Sequence, residues 1–118
     1  MLKVHAKKSD AVEVFCLEGQ VIYGETENLS SAAQAASGAS EIILDFSNVT
    51  VVDAHGLGVL LQLREQALAK RIHFELINVS KRVYRIFEIS RLNTVFGISR
   101  DVQFLPEVTY SQRLSVAA

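Results

Sequence analysis

Residues 45–70, DFSNVTVVDAHGLGVLLQLREQALAK, constrain the fold more than any other stretch of the chain. They read as the end of a buried strand, a short polar loop (DFSN, 45–48) and a long helix entered at Asp53-Ala54-His55-Gly56 and running to Lys70. Leu57, Leu60, Leu61, Ala67 and Leu68 recur at helical spacing, and Val59 and Leu63 widen the stripe. Gly58, Gln62, Glu65, Gln66 and Ala69 make the opposite strip polar or small. An apolar arc of that width suits a helix pressed onto a sheet, with Leu60 and Leu61 in the core. Asp53 is placed to cap the helix, because its carboxylate can accept from the first free amides at the positive end of the helix dipole. Just upstream, Ile42, Ile43 and Leu44 are continuous rather than alternating. That pattern predicts a strand from Ile42 to Phe46, covered on both faces and parallel to a neighbour.

The rest of the chain supplies further strands and helices in alternation. Lys3 to Ala6 reads as a short edge strand, followed by a turn from Lys7 to Asp10. From Ala11 to Glu18, Val12, Val14 and Cys16 point to one side and Glu13, Phe15 and Leu17 to the other. Cys16 is expected to act as a small core hydrophobe. Gly19-Gln20 reads as a strand break, and Val21 to Gly24 as a loop with exposed-looking apolar residues, of which Ile22 or Tyr23 could equally pack under the next helix. Thr26 to Ala36 is a helix with Leu29, Ala32, Ala33 and Ala36 on its inner face, stopped by Gly38. Ile72, Phe74 and Leu76 alternate with His73 and Glu75 in a strand from Ile72 to Ile77. Ser80 caps a third helix, Lys81 to Ser90, that buries Val83, Ile86 and Phe87 and turns Lys81, Arg82 and Arg85 outward. Leu92 to Ile98 closes the sheet. Beyond it, Pro106 forbids an uninterrupted helix over 101–106. Phe104, Leu105, Val108 and Tyr110 are expected to pack on the domain or on another copy, with the last residues, 114–118, frayed. At 118 residues the chain has the length of one domain, an α/β layer fold with right-handed crossovers.

Two segments resemble a known family. VVDAHGLGVLL resembles the signature of STAS domains, the bacterial anti-sigma factor antagonists, in which a hydrophobic pair precedes D-S-S-G-L-G. FELINVSKRVYRIFEISRLNTVFGI is similar to the strand, the N-V-S helix start and the L-x-x-V-F ending of the same family. The resemblance covers roughly Val12 to Ile98. It implies the STAS fold: a mixed, mostly parallel central sheet of four to five strands packed by helices, with the signature loop at the sheet's edge beside the loop of Ile22 and Tyr23. Residues 1–118 are then a single STAS domain, with 98–118 as a C-terminal extension. The implied partner is an anti-sigma factor with a histidine-kinase-like ATPase fold, which phosphorylates the first serine after the aspartate. Ala54 occupies that position here and His55 the second serine position, so the usual switch is missing. The family also has glycine where this chain has Arg91, so Arg91 is expected to take a left-handed conformation at the end of the third helix.

The residues themselves argue for binding rather than catalysis. The chain lacks GxxxxGK[ST], GxGxxG after a strand, HExxH and GxSxG. His5, His55 and His73 are scattered without metal-site spacing, and His73 reads as a surface residue. Asp45 and Asp53 are more simply a loop holder and a helix cap than an acid–base pair. Twelve basic and thirteen acidic residues leave no basic stripe for nucleic acid. No apolar run of about 18 residues exists to span a membrane, and MLKVHAKKSD lacks the apolar core of a signal peptide. A single cysteine excludes an internal disulfide, and the expected location is the cytoplasm. No cofactor is indicated. The expected docking rim lies beyond the carboxyl ends of the strands: Asp53, Ala54, His55, Gly56, Ser47 and Tyr23, with Asp45, Asn48 and Ile22. Ser47 and Thr50 are the remaining loop hydroxyls, either of which could carry a displaced phosphate; ordinary loop hydrogen bonding is the simpler role. Two function classes stand: an antagonist-like partner module, and a non-phosphorylated STAS subunit of a larger assembly such as a lipid-transport ATPase or a stress-signalling scaffold. The sequence leaves both a monomer and a homodimer open.

Overall fold

The computed structural model describes residues 2–36 and 38–99. The expectations for 100–118, including Phe104, Leu105, Pro106, Val108 and Tyr110, lie outside the described residues. The elements are β1 (Lys3–Ser9), β2 (Val12–Val21), α1 (Glu27–Ala35), β3 (Glu41–Val52), α2 (Ala54–Ala69), β4 (His73–Ile77), α3 (Lys81–Ile89) and β5 (Gly97–Ser99). The five strands lie side by side in sequence order, β1 antiparallel to β2 and the rest parallel. This is the α/β layer order read from the sequence and the mixed, mostly parallel sheet that the family resemblance implies.

A sheet that grows in one direction through right-handed crossovers must place every helix on the same face. One large core cluster accordingly joins Leu29 of α1, Leu57, Leu60 and Leu63 of α2, and Val83 and Phe87 of α3 to Phe15, Leu17, Ile42 and Leu44 of the strands. Phe87 stands edge-on to Phe46 and to Phe96, with ring centroids 6.5 and 5.5 Å away. Ile43 points the other way and joins Val12, Val14 and Ile77, with Cys16 against them. The continuous run Ile42-Ile43-Leu44 is therefore buried on both faces, as its lack of alternation requires.

Several boundaries differ from the sequence expectation, each for a tertiary reason. β1 runs on to Ser9, because β2 pairs with all of it, and the turn is confined to Asp10 and Ala11. β2 does not break at Gly19-Gln20. It continues to Val21 through two register shifts against β3, one of them between Gly19 and Gln20. The polar stretch 45–48 is not a loop: β3 continues through it to Val52, held by pairs such as Glu18↔Asn48 and Val21↔Val52. α1 ends at Ala35 with Ala36 as its cap, short of Gly38. On α2 the buried set is Gly56, Leu57, Leu60, Leu63 and Ala67. Leu61 is only half-buried and Leu68 is exposed, so the stripe is rotated towards Leu63. Glu75 is buried, although its strand alternation suggested an outer face. Cys16 is half-buried; burial first and Asp45 second raise its thiol pKa, against Lys7. Residues 92–96 form turns stacked on α3, and only Gly97–Ser99 pairs with β4.

Arg91 does adopt the left-handed conformation, with φ 62°. Its N–H donates to the Glu88 carbonyl (3.0 Å) and the Leu92 N–H to the Phe87 carbonyl (2.8 Å), which is a complete Schellman ending. α2 ends the same way. Arg71 has φ 60° and donates to the Leu68 carbonyl, and Ile72 donates to the Ala67 carbonyl.

Candidate functional site

The entrance of α2 stands at the carboxyl end of the central strand β3, rather than at a lateral edge of the sheet. Val52 ends that strand in register with Val21 of β2, which carries the preceding loop to the same place. That loop is a tight turn, closed by the Glu25 N–H donating to the Ile22 carbonyl at 3.1 Å. Its third residue, Gly24, has φ 82°, which a side chain would strain and which a type II turn requires. The turn throws Tyr23 outward, where it is 76% exposed.

Asp53 ties this turn to the helix. One carboxylate oxygen accepts the Gly56 N–H at 2.7 Å, the ordinary N-cap bond. The other accepts the Tyr23 N–H at 3.0 Å. The Asp53 N–H donates in turn to the Val21 carbonyl at 3.2 Å. The Tyr23 N–H bond is the largest influence on this carboxyl and lowers its pKa. Partial burial opposes it, and the Gly56 N–H, the His55 charge and the His55 N–H add to the lowering. Asp53 is thus held as an anion at the positive end of α2.

Gly56 belongs to the same joint. A Cβ there would lie 2.8 Å from the Val21 carbonyl carbon and closer still to its oxygen, so only glycine lets the helix start sit against β2. His55 and Tyr23 meet above this joint edge to face, with ring centroids 5.1 Å apart and planes at 77°. Ala54, the first residue of α2 and the chain neighbour of His55, is exposed as well. The rim therefore offers two aromatic rings and a methyl beside a fixed carboxylate. That surface suits a protein contact.

The other expected residues lie elsewhere. Ser47 is on β3, six residues before Asp53, with its hydroxyl donating to Asp45 at 2.6 Å and its N–H to the same oxygen at 2.9 Å. Asn78 reaches that oxygen at 3.4 Å from the end of β4. Asn48 is exposed and pairs with Glu18. The Thr50 hydroxyl donates to the Gly19 carbonyl at 3.3 Å. The structure thus joins Tyr23, Asp53, Ala54, His55 and Gly56, and places Ser47 and Thr50 further back along the strand. Sequence reasoning missed the part played by Val21. It acts through its backbone carbonyl, which leaves no trace in side-chain pattern. Among the described residues, the group spaced to hold a metal is Glu41, His73 and Glu75, near the opposite end of the sheet. No helix among the described residues is long and apolar enough to cross a membrane.

Comparison with known proteins agrees with this architecture. A STAS-domain containing protein of Pseudomonas aeruginosa is 30% identical over 84 residues, covering 70% of this chain and 83% of that protein. An anti-sigma factor antagonist from Mycobacterium paratuberculosis has a similar structure, with a TM-score of 0.76 at 19% identity over 98% of this chain and 93% of that one. A sulfate transporter family protein from Wolinella succinogenes superposes with a TM-score of 0.74 at 19% identity, covering 93% and 91%. The family model of the STAS domain matches residues 3–105, and the chain belongs to that family.

Proposed function

We propose that this domain is a non-enzymatic regulatory module of the anti-sigma factor antagonist type, which docks its protein partner on the rim built by Tyr23, Asp53, Ala54, His55 and Gly56. The observation that carries this reading is the exposed Tyr23–His55 ring pair, held over a carboxylate that bonds both the helix start and the β2 turn. Aromatic residues on a rigid support are the usual anchors of protein interfaces. The partner implied by family membership is a kinase-like anti-sigma factor in the cytoplasm. Ala54 has no hydroxyl, so phosphate cannot be added at the usual place, and the module binds constitutively or is regulated elsewhere. Both oxygens of Asp53 and one oxygen of Asp45 accept structural hydrogen bonds, which supports binding over acid–base chemistry.

A second reading, a STAS subunit within a larger assembly, has support in the likeness to the sulfate transporter family protein. Affinity capture from native cells distinguishes the two: a small kinase-like anti-sigma factor supports the first, a transporter component or scaffold the second. With the captured partner, Tyr23→Ala should weaken binding about tenfold or more. Ala54→Asp should also weaken it, by adding charge beside Asp53. Unchanged affinity in both variants would remove this rim from the interface. Incubation with ATP and the kinase, followed by mass spectrometry, should leave residue 54 unmodified; phosphate on Ser47 or Thr50 would show a relocated switch.

A further inference from the structure

Glu41 opens β3 and His73 opens β4, and the two are direct partners in the parallel ladder. Glu75 follows His73 by two residues. Side chains alternate across a strand and cross-strand partners share a face, so all three project on the same side of the sheet. This side carries Val12, Val14, Ile43 and Ile77, not the helices. His73 Nε2 lies 3.7 Å from Glu41 Oε2 and 3.6 Å from Glu75 Oε2, and the three donor atoms fall within 4.8 Å of one another.

The two imidazole–carboxylate separations sit at or just above the spacing of a coordination shell, and the two carboxylates lie within 4.8 Å of each other, so small side-chain adjustments would close the three on one ion. A tetrahedral zinc ion with bonds of about 2.0–2.2 Å to nitrogen and oxygen separates its donors by about 3.3–3.6 Å. The two carboxylate side chains are only 6% and 11% exposed, whereas the imidazole is 66% exposed. An ion seated among them would be held by two inner oxygens, with the exposed imidazole on its outer side. Ser99 on β5 donates to Glu75 Oε1 at 2.8 Å, so the other oxygen of that carboxylate turns towards His73. Orientation of a ligand by a neighbouring hydroxyl is what outer-shell partners do in metal sites. Imidazole with carboxylates selects a borderline divalent ion of the zinc type over calcium or magnesium, which take oxygen ligands.

We infer that Glu41, His73 and Glu75 form a zinc-type divalent cation site that clips β3 to β4 at their amino ends. The site is independent of the proposed docking rim, because β3 and β4 run away from it towards their carboxyl ends. The sequence conceals it, since 32 positions separate Glu41 from His73 and only the ladder register joins them.

The test uses the full chain at a pH where imidazole is neutral, since metal and proton compete for the ring. His5, Cys16 and Asp45 are also ladder partners across β1, β2 and β3, and they could trap a thiophilic ion. The background protein therefore carries Cys16→Ser and His5→Ala. Zinc is titrated in competition with a chromophoric chelator, and cobalt(II) serves as a visible-absorption reporter of low coordination number. The expected result is one equivalent bound, an intense cobalt spectrum, and a rise in melting temperature with zinc concentration. His73→Ala, at an exposed position that should not disturb folding, should weaken zinc more than about tenfold and abolish the cobalt spectrum. Glu41→Gln should do the same, with circular dichroism confirming the fold. His55→Ala should leave binding intact. Absence of saturable binding, or binding indifferent to His73→Ala, would overturn the site and leave the cluster as a histidine bridging two glutamates.

Discussion

At the third position of α3 stands Val83, fully buried; at the third position of α2 stands Gly56, where one methyl group would strike the Val21 carbonyl. Both positions donate their N–H to the cap, Val83 to the Ser80 hydroxyl at 3.2 Å and Gly56 to the Asp53 carboxylate at 2.7 Å. Both helices also end on a left-handed arginine. The two helices are therefore built alike at both termini, yet only one entrance is a junction. The Ser80 cap bonds its own helix. The Asp53 cap also bonds Tyr23, thirty residues earlier, and the helix start is wedged against β2. The difference shows how a common capping device becomes a site: the carboxylate has a second oxygen to spend, and glycine lets another segment come close enough to use it.

The sharpest way to break this contrast is to fill the space at Gly56. Gly56→Ala should destabilise the domain by about 3 kcal/mol, since the methyl meets backbone rather than a movable side chain. A loss below about 1 kcal/mol in denaturant melts would mean that the α2 entrance has room to move. Next in size is the cap. Asp53→Ala should cost about 2–3 kcal/mol, because it removes two hydrogen bonds to a charged acceptor, against about 1 kcal/mol for Ser80→Ala. Equal losses would reduce Asp53 to an ordinary cap.

The two caps should also differ in acid. The Asp53 carboxyl has its pKa lowered below its ordinary value of 3.8 by the Tyr23 N–H first of all. Its contribution to stability is therefore present above that value and lost as pH falls through the lower folded value. Asp53→Asn should flatten the acid limb of the stability curve, whereas Ser80→Ala should shift the curve without changing its shape.

The smallest effects are expected at the helix ends, where α2 and α3 agree. Arg71→Gly and Arg91→Gly should each be neutral or stabilising by up to about 1 kcal/mol, because relief of left-handed strain outweighs the entropy of the unfolded glycine and the lost charge at the helix end. A clear loss at one site alone would show that its arginine side chain makes a contact of its own.

What the sequence determined by itself was whatever depends on residues a few positions apart. The cap at Asp53, the cap at Ser80 and the doubly buried run Ile42-Ile43-Leu44 follow from local hydrogen bonding and the lack of alternation, and the structure has each of them; the left-handed Arg91, also present, was implied by the family resemblance instead. Tertiary structure alone decided what depends on register and backbone approach. β3 continues through Ser47 and Asn48, whose polarity suggested a loop, because β2 offers a ladder to pair with. Leu63 is buried and Leu68 exposed because the close fit of Gly56 on Val21 sets the rotation of α2, which the width of its apolar stripe left undetermined. Glu75 and His73 lie beside Glu41 because one ladder aligns residues far apart in the chain. Periodicity records which side of an element faces a neighbour. It carries no record of which neighbour arrives, or how closely, since long-range pairing and backbone carbonyls leave no local pattern.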